Sequence, residues 1–122
     1  MLPPLPTLEP VLDVTRTANL EIRATEYQLL ADDLRVGLTV REFQIFYVLA
    51  EHSDRVVPRE AIYGLVWGAP MVHRDRSVDV FVRKVRRKLT AVAPGWEYIH
   101  THFGVGYRFC PEQLATASPS KN

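Results

Sequence analysis

The sequence predicts an α+β fold with a small N-terminal antiparallel sheet, a three-helix core and a C-terminal β-hairpin. Short runs that alternate apolar and polar residues occupy positions 20–36, which is typical of strands. Three segments between residues 39 and 89 repeat apolar residues at helical spacing. Two strand-like runs, 96–101 and 105–110, follow a Pro-Gly break.

The folded unit is expected to cover residues 20–110 of the 122-residue chain, which suits one domain. Residues 1–19 contain four prolines in their first ten positions and are interpreted as a linker. Residues 111–122 are interpreted as a frayed tail. Within the unit, Leu20 to Ala24 alternates as a strand would, and Asp32-Asp33 marks a turn in the small sheet.

The first two helices have recognisable ends. Thr39 precedes Glu42 at capping-box spacing, so the first helix begins there. The second helix is predicted to start at Pro58, which suits the first helical position, and to end at Gly68. Their predicted buried stripes are Phe43, Phe46, Val48, Leu49 and Ala50 in the first helix, and Ala61, Ile62, Leu65 and Val66 in the second.

The third helix is predicted to run from Asp75 to Leu89, with Asp75 or Ser77 as its cap. Its apolar face is a narrow stripe of Val78, Val82, Val85 and Leu89. Its other faces carry a basic block of Arg83, Lys84, Arg86, Arg87 and Lys88.

Charge is divided unevenly along the chain, although the net charge is only +1. Residues 1–60 hold 6 Lys/Arg and 10 Asp/Glu, a net −4, while residues 61–122 hold 9 and 4, a net +5. A local basic block is typical of a nucleic-acid binder. A solvated helix face is the alternative interpretation of such a run taken alone.

The order of the elements favours a winged helix-turn-helix, in which three helices end in a basic helix and a hairpin follows as the wing. The major groove of B-DNA is about 12 Å wide and admits one α-helix. A helix buried along a thin stripe and basic elsewhere suits that groove, because phosphates attract the basic side chains while the helix face reads base edges.

Other function classes have little support in the sequence. Cys110 is the single cysteine, so no disulfide can form within the chain, and we expect a reducing, cytoplasmic environment. No signal peptide or membrane-spanning run is apparent. His100 and His102 share a strand face but have no ligand partner nearby in sequence, so a metal site or other cofactor is not expected. No arrangement of catalytic residues indicates an enzyme.

Five segments resemble the OmpR/PhoB-type effector domain of bacterial response regulators. They are residues 38–43 (LTVREF), 55–60 (RVVPRE), 66–68 (VWG), 75–89 (DRSVDVFVRKVRRKL) and 104–109 (GVGYRF). The segments occur in family order and with family spacing across residues 20–110. The resemblance implies sequence-specific binding of double-stranded DNA for transcription regulation, with helix 75–89 in the major groove and wing 96–109 at the minor groove.

The resemblance also implies a role for individual residues. Val80 and Lys84 stand at base-facing positions, and phosphate contacts fall on Arg76, Arg83, Arg86 and Arg87. Trp67 and Tyr107 match positions that touch the DNA backbone, and Thr101 is similar to a wing-side phosphate contact. Arg74, Phe81 and Phe103 complete the predicted set. Loop 68–74 resembles a segment that meets RNA polymerase, and relatives bind tandem half-sites as homodimers.

Two aromatic residues depart from the family pattern. Phe103 stands where the wing often carries a basic residue for the minor groove, and Phe81 replaces a frequent polar residue. Lys84 in place of arginine loses bidentate guanine geometry, so the target sequence is not inherited from relatives. Phe81 and Phe103 are expected to be exposed on the DNA-binding face, and they favour the alternative function, a protein-interaction winged helix that has lost DNA binding.

Some residues keep two interpretations at this level. Asp79 could accept from cytosine, but a helix-dipole contact or an arginine partner is favoured. Trp67 could belong to the core instead of the interface. Arg59 with Glu60 is interpreted as a helix-surface pair.

Overall fold

The computed structural model describes residues 13–115. Its elements are β1 (Val14–Thr17), β2 (Leu20–Arg23), β3 (Gln28–Ala31), β4 (Leu34–Val36), α1 (Val40–Glu51), β5 (Val56–Pro58), α2 (Arg59–Trp67), α3 (Ser77–Val92), β6 (Trp96–His102) and β7 (Gly106–Gln113). The predicted α+β winged helix-turn-helix is confirmed. Among the described helices, none has the length and apolar character needed to cross a bilayer.

The N-terminal sheet is an antiparallel meander in the order β1-β2-β3-β4. Val14–Thr17, which we expected in the linker, pairs in register with Leu20–Arg23. The prolines stop at Pro10, and the β-branched residues that follow suit a strand. The ordered fold therefore starts earlier than predicted, and the rest of the predicted linker, residues 1–12, lies outside the described residues.

The C-terminal sheet has the order β5-β7-β6, with β7 in the centre. β7 continues to Gln113, beyond the predicted domain end at residue 110, because its pairing with β6 resumes after a register shift. Pro111 lies at this irregularity, where a residue without an N–H is tolerated. Residues 116–122 of the predicted tail are outside the described part of the chain.

The capping box of α1 is confirmed. The Thr39 hydroxyl accepts from the Glu42 amide at 3.3 Å, and the Glu42 carboxylate accepts from the Thr39 amide at 2.8 Å. Phe43, Phe46 and Leu49 are buried as predicted, whereas Val48 and Ala50 are only half-buried. This face of α1 packs on the wing, where Phe46 meets Phe109 edge to face at 5.5 Å.

The buried face of α2 is narrower than predicted. Ile62 is fully buried and Val66 packs beside it, but Leu65 is 61% exposed and Ala61 is also exposed. Helical periodicity predicted too many buried positions on α2, because the helix contacts the core along one edge only. Pro58 is the extended N-cap that ends β5, so α2 begins at Arg59 and not at Pro58 as predicted. Gly68 ends α2 in the left-handed conformation, as predicted.

Gly106 is required by close approach between two strands. A Cβ atom added at this position would lie 2.0 Å from the carbonyl oxygen of Val57 on β5. Turn flexibility instead accounts for Gly104, whose φ is +78°. At Gly106 the cause is the pairing of β5 with β7.

Candidate nucleic-acid interface

α3 presents one buried and one open face. Its narrow apolar stripe is fully buried as predicted: Val78, Val82, Val85 and Leu89. α3 covers Ser77–Val92, shifted from the predicted 75–89, and its N-cap is Arg76, which makes no side-chain cap bond. The prediction of Asp75 or Ser77 as the cap is therefore wrong in position, although the Asp75 carboxylate, one residue before the cap, accepts from the Ser77 amide at 2.7 Å. The helix is thereby fixed at its first turn and along its length, with the remaining faces available for a ligand.

Four exposed arginines surround the open face: Arg74, Arg76, Arg83 and Arg87. Lys84 is half-buried, and its ammonium lies 5.1 Å from the centroid of the Phe81 ring. None of these five cations forms an ion pair within residues 13–115. Val80, 36% exposed, lies among them on the helix. This face is therefore a positively charged surface with little internal neutralisation.

Arg86 lies on the same helix but points into the domain. Its guanidinium donates to the Ile99 carbonyl oxygen at 3.1 and 2.8 Å and to the Thr101 hydroxyl at 2.7 Å. Burial lowers the pKa of Arg86 below its ordinary value. The side chain ties α3 to β6, so Arg86 and Thr101 bind each other within the domain, which the family resemblance did not imply.

Asp79 connects α3 to α2 and to the wing. Its carboxylate accepts from Arg59 Nε at 2.7 Å and from the Tyr107 hydroxyl. Burial raises the pKa of Asp79, but these two hydrogen bonds and the charge of Arg59 outweigh it and bring the pKa below its ordinary value. The arginine partner that the sequence favoured for Asp79 is therefore present, and it is Arg59. The predicted surface pair of Arg59 with Glu60 is wrong, because Arg59 pairs with Asp79 instead.

Tyr107 is almost fully buried, and Arg59 and Arg86 lie 5.1 and 5.3 Å from its ring centroid. Burial, followed by its hydrogen bond to Asp79, raises the pKa of Tyr107 above its ordinary value. Its hydroxyl, expected to touch the DNA backbone, already has an acceptor in Asp79.

Trp67 and Phe81 form an aromatic cluster between α2 and α3. Trp67 stacks on Tyr63 at 4.6 Å and meets Phe81 at 5.7 Å. Arg41 covers the indole at 4.7 Å and donates to the Val66 carbonyl oxygen at 3.0 Å. Phe81 is thus packed against its own domain, and the expectation that it is exposed on the open face is wrong.

The wing ends in an almost fully exposed aromatic residue. Phe103 is 91% exposed at the turn between β6 and β7, and Val105 beside it is also exposed. His102 accepts from Arg108 Nε at 3.1 Å, and Arg108 also pairs with Asp54 at 2.8 Å. The tip is therefore apolar, and the nearby Arg108 of β7 pairs at the surface with Asp54.

His100 and His102 do not act as a pair. His100 Nε2 hydrogen-bonds the Cys110 carbonyl oxygen at 2.8 Å, while His102 binds Arg108. Within residues 13–115, the potential ligand atoms of His100, Glu97 and Glu112 lie within 4.8 Å of one another on the outer face of the wing. Both glutamates are exposed, and His100 Nδ1 lies 3.8 Å from Glu97.

The comparison with known families identifies this architecture. Residues 33–109 match the family "Transcriptional regulatory protein, C terminal". The matched region includes the three helices and most of the wing. The chain belongs to this family. Its members are the OmpR/PhoB-type DNA-binding domains of response regulators, so the resemblance noted from the sequence is confirmed.

Individual relatives agree with the family assignment. The chain is 35% identical over 101 residues to the transcriptional regulatory protein ResD of Bacillus subtilis. This aligned region covers 82% of this chain and 42% of ResD. The chain is likewise 35% identical over 110 residues to SrrA of Staphylococcus aureus, covering 89% of this chain and 45% of SrrA. The chain thus spans less than half the length of these relatives.

Solved structures share the fold of this OmpR/PhoB-type domain. The DNA-binding domain of Klebsiella pneumoniae RstA, in complex with the RstA box, has a TM-score of 0.71 at 28% identity and covers 79% of this chain and 95% of that one. The DNA-binding domain of Escherichia coli CpxR has the same TM-score and identity. The match covers 79% of this chain and 94% of the CpxR domain.

The contacts that sequence reasoning missed in this OmpR/PhoB-type domain join distant positions. Arg59 meets Asp79 across 20 positions, and Arg41 covers Trp67 from another helix. Periodicity reports which face of a helix is buried, but it carries no information about which charged residue of another element meets that face. Only covariation between the partners in related sequences would carry such a signal.

Proposed function

We propose that this domain binds double-stranded DNA sequence-specifically, with α3 in the major groove and the β6–β7 wing at the minor groove. The observation that carries the proposal is the open face of α3, where Arg76, Arg83 and Arg87 are exposed and form no ion pair with any described residue between 13 and 115. Exposed cations on one side of a helix supply phosphate contacts, and the side chains between them reach base edges.

We assign the predicted site residues either to direct contact with DNA or to support of the elements that make this contact. Arg74, Arg76, Arg83 and Arg87 are assigned to phosphates, and Val80 and Lys84 to bases. Arg86, Thr101 and Tyr107 are assigned a positioning role, because their polar groups bind within the domain. Trp67 and Phe81 support the helix by packing, and the half-buried Trp67 is also assigned to the DNA backbone.

Salt titration tests the proposal directly. A random 20-base-pair library enriched on the protein supplies the probe, and log K against log salt should fall by about 0.9 per phosphate contact. Arg87→Ala should reduce the slope by about 1 and weaken all sequences equally. Lys84→Ala should relax preference at one base position, at a cost of about 1–3 kcal/mol if the contact is specific.

The alternative function, a protein-interaction module, is favoured by one observation. Phe103 is exposed at the wing tip, but Phe81 no longer supports this interpretation because it is packed against Trp67. Failure to enrich any duplex, or affinity that is insensitive to salt, would favour this alternative over DNA binding.

We also propose that the domain is the output part of a longer cytoplasmic response regulator that carries a phospho-acceptor receiver domain. The support is that ResD extends well beyond the region that this chain matches. Phosphorylation of such a longer protein should raise its affinity for DNA. Unchanged affinity upon phosphorylation would count against a receiver-controlled output.

Two further contacts complete the proposal. Loop 68–74 is mostly exposed, with Val72 and Arg74 open to solvent, and is assigned to RNA polymerase. Val72→Asp should reduce transcription from a bound promoter while leaving DNA affinity unchanged. Homodimers on tandem half-sites should protect two adjacent segments of the enriched duplex with a stoichiometry of two domains per site.

A further inference from the structure

The wing tip combines a large apolar side chain with an absence of local positive charge. Phe103 is 91% exposed, Val105 beside it is 49% exposed, and residues 101–105 contain no lysine or arginine. Arg108, the third residue of β7, is held by Asp54 and His102. A tip of this composition has no cationic side chain that could bind phosphates. It also has none that the negative potential of a narrow minor groove could attract.

The tip is also held rigidly against the helix bundle. The Arg59 amide donates to the Val105 carbonyl oxygen at 3.2 Å, and the Val105 amide closes the turn on the His102 carbonyl oxygen at 2.9 Å. On the other side, Arg86 binds Thr101 and Tyr107 binds Asp79 of α3. Because these bonds join the wing to α2 and α3, the position of Phe103 relative to the recognition helix is set by the fold.

We propose that Phe103 is an apolar wedge that inserts at a base step of the minor groove beside the segment read by α3. The inference rests on the proposed DNA binding and adds a mode of recognition to it. An aromatic side chain between base steps partly unstacks them and kinks the duplex by about 20–90°. Pyrimidine–purine steps unstack most easily, so the wedge selects TA or CA/TG steps at this position without hydrogen bonding to a base.

The test places the fluorescent base 2-aminopurine at the wing-side step of the enriched duplex, with a donor and an acceptor dye at its ends. Saturation with the 122-residue chain should raise 2-aminopurine fluorescence and shorten the end-to-end distance. With Phe103→Ala, the duplex should remain bound with roughly 3- to 30-fold lower affinity, but stacked and straight. Enrichment by Phe103→Ala should also lose the pyrimidine–purine step.

Two matched variants isolate the wedge. Val105→Ala changes the neighbouring apolar residue and should keep both the fluorescence rise and the bend. Arg87→Ala weakens binding elsewhere and should still bend the DNA at saturation. Phe103 is exposed, so its truncation should leave the thermal unfolding midpoint unchanged, which is checked on each variant.

The outcomes separate the wedge from the proposed function. A wild-type complex with a straight, stacked duplex, or equal bending by Phe103→Ala, would overturn the wedge and leave DNA binding standing. Failure of the wild-type chain to enrich any duplex would overturn both.

Discussion

The Lys88 ammonium lies 2.7 Å from the Glu42 carboxylate, so the last residue of the basic block on α3 binds the first turn of α1. Glu42 is only 3% exposed and also closes the capping box with Thr39. Burial raises the pKa of Glu42, but the hydrogen bonds from Lys88 and Thr39 bring it below its ordinary value. One basic residue that suggested DNA binding is therefore used to join two helices.

Removing the Lys88 charge should affect stability more than DNA binding. Lys88→Met leaves the Glu42 carboxylate buried without its cation, and the free energy of unfolding should fall by about 1–3 kcal/mol. Urea denaturation measures this loss. The matched control is Arg87→Met, one position earlier and exposed, which should change stability by less than about 0.5 kcal/mol and should weaken DNA binding. If Arg87→Met lowered stability more than Lys88→Met did, the structural role assigned to Lys88 would be contradicted.

Acid should destabilise the domain through the same carboxylate and through Asp79. Both pKa values are lowered on folding, from ordinary values of 4.5 and 3.8. Their contribution to stability is therefore complete above the ordinary values and is lost as the pH falls through the lowered ones.

Urea denaturation between pH 7 and pH 3 checks this dependence. The free energy of unfolding should begin to fall below about pH 5. In Lys88→Met the fall should be shallower, because the pKa of Glu42 is no longer lowered by Lys88. An equally steep fall in the variant would show that other groups dominate the acid transition.

Arg86 and Arg83 are three positions apart on α3 and should respond oppositely to removal of their charge. Arg86→Met breaks the bonds to Ile99 and Thr101 and leaves the buried Ile99 carbonyl oxygen short of donors. We expect a loss of stability of about 1–3 kcal/mol and faster amide exchange in β6. Arg83→Met should keep stability and reduce the slope of log K against log salt by about 0.9. Slower or unchanged exchange in Arg86→Met would contradict its role as the link to the wing.

Gly106→Ala should disrupt the attachment of the wing. Its Cβ would lie 2.0 Å from the Val57 carbonyl oxygen and 2.8 Å from the Pro58 Cα, both backbone atoms. Relief requires separation of β5 from β7, with a loss of about 1–3 kcal/mol or more. The control is Gly95→Ala, where a Cβ would meet nothing within 4 Å. Thermal unfolding of the two variants should differ clearly, and equal midpoints would contradict the close approach.

Much of the fold could be predicted because its signals are local. The capping box of Thr39 and Glu42 depends on residues three apart, and the stripe of α3 depends on helical periodicity. The strand Val14–Thr17 was missed because a four-residue strand next to prolines has too few residues to alternate recognisably. Leu65 was misplaced because a nine-residue helix packed along one edge buries fewer positions than its pattern suggests.

The sequence by itself determined the order of the three helices and the hairpin, the family and the position of the basic third helix, whereas strands β1 and β5 were not predicted. The predicted features depend on patterns between near neighbours and on motifs that keep their spacing along the chain. Only the tertiary structure decided which members of the basic block remain free. It divides the exposed Arg83 and Arg87 from the internally bound Arg86 and Lys88, because Ile99 and Glu42 reach α3 from elements distant in sequence.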